Sequence, residues 1–78
     1  MSEADKRFKE LGYKKLDGGA YIEYSHAENS VREEYVISFM AGTVMARLYI
    51  DGNNSKPLAL EPAEIEAINM KCKELGWI

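Results

Sequence analysis

The sequence predicts a small α+β domain in the order α-β-β-β-α, and three observations carry that reading. The phrase Lys9-Glu10-Leu11-Gly12-Tyr13 returns near the end as Lys73-Glu74-Leu75-Gly76-Trp77. Each copy reads as a helix stop, with a glycine free to turn left-handed and an aromatic able to fold back on the last turn. Between the two copies, apolar and polar residues alternate with the period of two that marks strands. Turn formers, among them Asp17-Gly18-Gly19 and Ala41-Gly42, cut that alternation into runs.

Ser2 suits the cap of a first helix, with Asp5 three places on in a weaker form of the capping box. Ala4, Phe8 and Leu11 recur at i, i+4 and i+7, which predicts a short amphipathic helix over about residues 3–11. Gly12 follows the cap, and Tyr13 falls where a Schellman motif sets it against Phe8. After Asp17-Gly18-Gly19, residues Ala20 to His26 alternate, with Ala20, Ile22 and Tyr24 on one face. Ala27 to Ser30 interrupt the pattern.

Glu33 to Met40 form the next strand, with Tyr35, Ile37 and Phe39 facing inward, and Thr43 to Ile50 follow with Val44, Ala46, Leu48 and Ile50 inward. Pairing Phe39 with Val44, Ile37 with Ala46 and Tyr35 with Leu48 keeps every inward residue inward, and a slip of one residue would reverse them all. A two-residue Ala41-Gly42 turn satisfies this register, although Ala disfavours positive φ; a four-residue loop satisfies it equally. Asp51 to Ser55 reads as a loop, and Lys56 to Leu60 can run extended. Pro62 fits the first helical position, making Glu61 the cap of a second helix. Acidic Glu61, Glu64 and Glu66 at its start and Lys71 and Lys73 near its end complement the helix dipole. Ile65, Ile68, Cys72 and Leu75 supply an apolar stripe at 3-4-3 spacing. Three antiparallel strands with two amphipathic helices mainly on one sheet face are the resulting architecture.

A chain of 78 residues has room for one domain, residues 1–78. Its 46% hydrophobic and 29% charged content is that of a globular protein, not a disordered one. A core of this size supplies no more than about 3–5 kcal/mol net, so a supplement is expected. The single cysteine, Cys72, closes no internal disulfide, and one cysteine with one histidine makes no zinc cage. Self-association is the remaining supplement. No run reaches the roughly 18 apolar residues of a membrane span, and the first residues lack the pattern of a signal peptide. The expectation is a cytoplasmic protein in which the lone thiol stays reduced.

The net charge of −3 is unevenly placed. Residues 1–16 hold five basic against three acidic side chains, and residues 17–78 five against ten. Proteins that coat nucleic-acid phosphates are normally basic, which disfavours that class. The basic cluster Lys6, Arg7, Lys9, Lys14 and Lys15, with Tyr13 inside it, is the candidate for weak nucleic-acid contact. The plainer reading is a solvated helix face with charge pairs such as Lys6–Glu10.

Catalytic constellations are sparse. His26 has no second histidine or activated nucleophile beside it, and Cys72 sits on an apolar stripe, where thiols are inert. Glu33 and Glu34 are strand neighbours and point to opposite faces, so they do not converge. Asp51 to Ser55 lacks the spacing and terminal Glu of a calcium loop. Asn53-Asn54-Ser55 matches a glycosylation sequon, which carries little without a secretion signal. A non-enzymatic protein with no metal or cofactor is expected.

The outward sheet face is the stronger candidate. It carries Tyr21, Val36, Met40, Met45, Arg47 and Tyr49, with Glu34, Ser38 and Thr43 among them. Tyr, Met and Arg are enriched at interfaces, and an apolar patch of this extent is unusual on a monomer. The bland alternative has a helix or the 51–60 segment covering it. An acidic variant of the interaction reading uses Glu23, Glu28, Glu33 and Glu34 to imitate phosphates in a partner's nucleic-acid groove.

With Phe8, Leu11-Gly12-Tyr13, Ala67-Ile68-Asn69 and Lys73-Glu74-Leu75-Gly76-Trp77-Ile78 in view, the chain resembles small uncharacterised proteins of phages and prophages of Gram-positive bacteria. Those share its length, an opening helix ending in Leu-Gly-Tyr, a closing Glu-Leu-Gly-Trp-Ile, and Tyr- and Phe-rich strands. The resemblance implies a phage accessory protein that binds a host protein, and it carries no catalytic residues onto this sequence. A protein partner, or a second copy in a homodimer, is therefore the expected ligand. Trp77 stands to Cys72 as Tyr13 does to Phe8, so removing Trp77 and Ile78 is expected to cost about 2–4 kcal/mol.

Overall fold

A computed structural model describes residues 2–28, 33–51 and 54–78. The chain divides into two units, one formed by residues 1–13 with 59–78 and the other by residues 14–58.

The first unit is a helix pair, α1 (Glu3–Glu10) and α2 (Pro62–Glu74). Ser2 caps α1, its hydroxyl accepting the Asp5 N–H at 3.0 Å. Both helices end in the expected Schellman motif. Gly12 has φ +94° and Gly76 φ +76°. The Tyr13 N–H reaches Phe8 O at 2.9 Å and the Trp77 N–H reaches Cys72 O at 2.9 Å. Gly12 and Gly76 add bonds to Lys9 O and Lys73 O at 3.0 and 3.1 Å. Tyr13 packs edge-on against Phe8, with ring centroids 5.7 Å apart.

The helices run antiparallel, and a carboxylate ties each end. Glu64 Oε1 accepts the cap N–H of Glu61 at 2.8 Å, while its Oε2 takes the Tyr13 hydroxyl at 2.5 Å. At the other end Glu74 Oε2 accepts the Ala4 N–H at 2.9 Å, satisfying a free donor of the first turn of α1. Lys71 lies beside it, 6% exposed, 3.4 Å from Asp5 and 3.5 Å from Glu74. Burial alone pushes the Glu74 carboxyl up. The Ala4 N–H, the Ser2 hydroxyl and the Lys71 ammonium together outweigh it, leaving the group below its ordinary 4.5.

One expectation fails in α2. Its buried residues are Ala67 and Lys71, and Ile65 of the predicted stripe is exposed. Lys71 and Glu74 meet α1 at Asp5 and Ala4, Glu66 meets Arg7, and Glu64 meets Tyr13 just beyond the end of α1, while Ile68, Cys72 and Leu75 of the stripe are half-buried. Small Ala4 and Ala67 are both fully buried. Lys71 buries its aliphatic stem and brings its ammonium to two carboxylates.

The second unit is an antiparallel meander of β1 (Lys14–Asp17), β2 (Tyr21–Glu28), β3 (Glu33–Met40), β4 (Thr43–Ile50) and β5 (Asn54–Pro57), in sheet order β1-β2-β3-β4-β5. The three expected strands are present, and β1 and β5 correct the count to five. Both edge strands are four residues long and exposed throughout. The β3–β4 register matches the predicted pairing, with Phe39 opposite Val44, Ile37 opposite Ala46 and Tyr35 opposite Leu48. Ala41 at φ +52° and Gly42 at φ +77° make the tight turn a type I′. At the β1–β2 turn the Asp17 carboxylate accepts the Gly19 N–H at 3.0 Å. Ile22, Tyr24, Ile37, Phe39 and Leu48 share one sheet face and are buried, Tyr24 and Phe39 meeting edge-on at 5.7 Å. Of the break expected at Ala27 to Ser30, Ala27 and Glu28 instead continue β2, and of the loop and sequon expected at Asp51 to Ser55, Asn54 and Ser55 instead begin β5; positions 29, 30, 52 and 53 lie outside the described residues.

Candidate functional site

The opposite face of the sheet is a grid fixed by strand register. Ser25, Val36 and Arg47 lie side by side in one row, and Glu23, Ser38 and Met45 in the next. Tyr21, Met40 and Thr43 form a third row, and Ala27, Glu34 and Tyr49 a fourth. All six residues expected from the alternation, Tyr21, Val36, Met40, Met45, Arg47 and Tyr49, line one hollow of about 260 Å³. Short Val36 and Ser38 on β3 make its floor, and the longer chains around them make its rim.

This outer face is open. Met40 is 55% exposed and Met45 48%. The segment suggested as a cover does something else: its residues Asn54–Pro57 extend the sheet as β5. Leu16, at 59% exposed, belongs to the same face, beside Glu23. Sequence reasoning missed it because β1 was not recognised; an apolar residue between Lys15 and Asp17 was the signal.

A second hollow of about 280 Å³ adjoins the first, lined by Glu23, Glu34, Val36 and Tyr49. Tyr21 donates its hydroxyl to Glu23 Oε1 at 2.5 Å. That bond, then burial, then the carboxylate's charge hold the Tyr21 phenol above its ordinary 10.0. The face thus presents apolar and aromatic surface, one guanidinium and an acidic hollow. Among the described residues Arg47 makes no ion pair.

The basic cluster is distributed differently. Lys6, Arg7 and Lys9 lie on α1, and Lys14 and Lys15 on opposite faces of β1. Arg7 is held by Glu10 at 3.5 Å and by Glu66, and Lys15 lies 3.8 Å from Asp17. Glu10 therefore takes Arg7 at i, i+3, where Lys6 at i, i+4 was the expected partner. The acidic set is split too: Glu23 and Glu34 share the outer face, and Glu33 points to the other.

His26 pairs across the strands with Tyr35, ring centroids 5.8 Å apart, and Cys72 is half-buried. Among the described residues no group of three His, Cys, Asp or Glu side chains is placed to hold a metal ion. No helix among them is long and apolar enough to cross a membrane. Compared with protein-family models, with curated proteins and with solved structures, the chain finds no match.

Proposed function

We propose that this chain is a non-enzymatic protein-interaction module whose working surface is the outer sheet face. The observation that carries the reading is the uncovered hollow, where exposed Met40 and Met45 stand with Tyr21, Tyr49 and Arg47 around a floor of Val36. Adaptable Met side chains, amphipathic Tyr rings and an Arg are the residue types over-represented at protein interfaces. The resemblance to phage and prophage proteins supports a cytoplasmic accessory role toward a host protein. Nucleic-acid contact through the basic cluster ranks lower, because Arg7 and Lys15 are already engaged by carboxylates.

The reading is tested by comparing the unaltered protein with Met45→Glu as baits, alongside Asn69→Glu on α2 as an equally charged control, and by sedimentation of all three. A protein retained by the unaltered chain and by the control, and lost with Met45→Glu, is the expected result. The same dependence in self-association counts equally. If no associate, own copy or other, is sensitive to Met45→Glu, the outer face is not the working surface.

A further inference from the structure

The outer face is lopsided in a way that fits itself. At three successive levels β4 carries the large Met45, Arg47 and Tyr49, while β2 carries Glu23 and the small Ser25 and Ala27. β3 lies between them. A two-fold axis parallel to β3, in the plane between two facing sheets, exchanges β2 and β4. It sets the large row of each copy over the small row of the other. Such an isologous contact uses the same patch twice.

The charges obey the same operation. Under that axis Arg47 lands over Ser25 of the other copy, with Glu23 two residues along the same strand and Glu34 diagonally across on β3 in the opposite direction. Those two carboxylates line the acidic hollow of about 280 Å³. A guanidinium between two carboxylates forms charge-assisted hydrogen bonds. Because the interface is isologous, each copy gives one Arg47 and receives one. Met45 lands over Glu23, with the exposed Leu16 beside it on β1. Along the axis Val36 meets Val36 and Met40 meets Met40, joining the apolar hollows of the two copies. Glu34 meets its own copy at the solvent end of the strand, and the incoming Arg47 offsets that repulsion.

The area is adequate for a modest dimer. Three strands of eight residues and two of four present roughly 500 Å² per copy before side-chain relief is counted. Stable interfaces bury roughly 600–1,000 Å² per partner. A micromolar association is the scale to expect, since an area just below that range leaves little surplus over the cost of binding.

We propose, resting on the interaction reading above, that the partner of this face is a second copy of the chain. The two copies are related by a two-fold axis along β3, with Arg47 of each seated between Glu23 and Glu34 of the other.

The test is a charge exchange followed by sedimentation across the micromolar range. The unaltered chain is expected to be dimeric at the upper concentrations and to dissociate as salt rises. Arg47→Glu alone sets three carboxylates together and is expected to weaken the dimer at least about tenfold, on the scale of a desolvated charge pair. The combined change Glu23→Arg with Glu34→Arg should do the same by gathering three cations. Mixing the two variants restores both pairs of contacts, so a one-to-one dimer should appear only in the mixture. That recovery also shows that both variants are folded. An unaltered chain that stays monomeric throughout overturns the self-association and leaves the interaction reading to the bait experiment. A dimer indifferent to Arg47→Glu, or variants that do not rescue one another, overturns the arrangement.

Discussion

The two Leu-Gly-aromatic phrases make the same local structure and different tertiary structure. Both glycines take positive φ, and both aromatic N–H groups close the same bond across the last turn at 2.9 Å. Tyr13 then goes on to be buried, edge-on to Phe8, with its hydroxyl on Glu64 at the start of α2. Trp77 stays half-buried and is followed by Ile78, which is 70% exposed. The hydrogen-bonded stop is thus a backbone device, indifferent to which aromatic follows the glycine. What the aromatic contributes beyond it depends on how deeply the rest of the fold buries it.

Three substitutions test that difference. Tyr13→Ala has the largest expected effect, about 3–4 kcal/mol by denaturant unfolding, the scale of deleting a buried aromatic. Tyr13→Phe separates the parts by removing only the hydroxyl, at about 1–2 kcal/mol for a bond to a charged acceptor. Equal losses for the two would show that the ring itself contributes nothing. Trp77→Ala should cost about 1–2 kcal/mol, below the 2–4 kcal/mol suggested by sequence for losing both end residues, because half-burial halves the area removed from water. A loss matching that of Tyr13→Ala would erase the contrast.

Glu74 extends the comparison to the opposite ends of the helices. Its carboxyl lies below the ordinary 4.5 when folded. Its stabilising effect is therefore complete above that ordinary value and is lost as pH falls through the lower, folded one. Thermal melts should show a fall in melting temperature over that acidic window, and Glu74→Gln should reduce the slope while costing about 1–2 kcal/mol at neutral pH. An unchanged slope would rule out the carboxylate as the source. The smallest effect belongs to Gly76→Ala, about 1 kcal/mol, because an added Cβ would meet no atom within 4 Å and only the left-handed backbone is strained. A much larger cost there would mean that the second stop is a packing site after all.

The legible parts of the chain were those whose pattern has one physical solution. Inward Tyr35, Ile37 and Phe39 opposite Val44, Ala46 and Leu48 admit a single register, and that register also fixes which residues share the outer face. Lys14–Asp17 and Asn54–Pro57 were illegible because edge strands exposed on both faces have no reason to alternate. Lys and Pro there are instead what blunt a sheet edge. Ile65 of α2 was misread as interior, and Lys71 missed, because periodicity ranks residues by apolarity. Glu64, Lys71 and Glu74 turn toward α1 for their hydrogen bonds and ion pairs. The acidic hollow needed the pairing of three strands to bring Glu23 and Glu34 together, which no single segment displays.

The antiparallel helix pair joins segments that lie far apart along the chain, Ala4 and Glu74 being 70 residues apart. The meander between them is built from neighbouring strands, whose pairing requires only short loop closures. Closing the large loop costs more entropy than closing any hairpin, so hairpin contacts are available earlier on the way to the native state. The carboxylate ties that α2 makes through Glu64 and Glu74 are therefore expected to form after the folding barrier, as a latch does: weakening either one should accelerate unfolding and leave the rate of folding nearly unchanged.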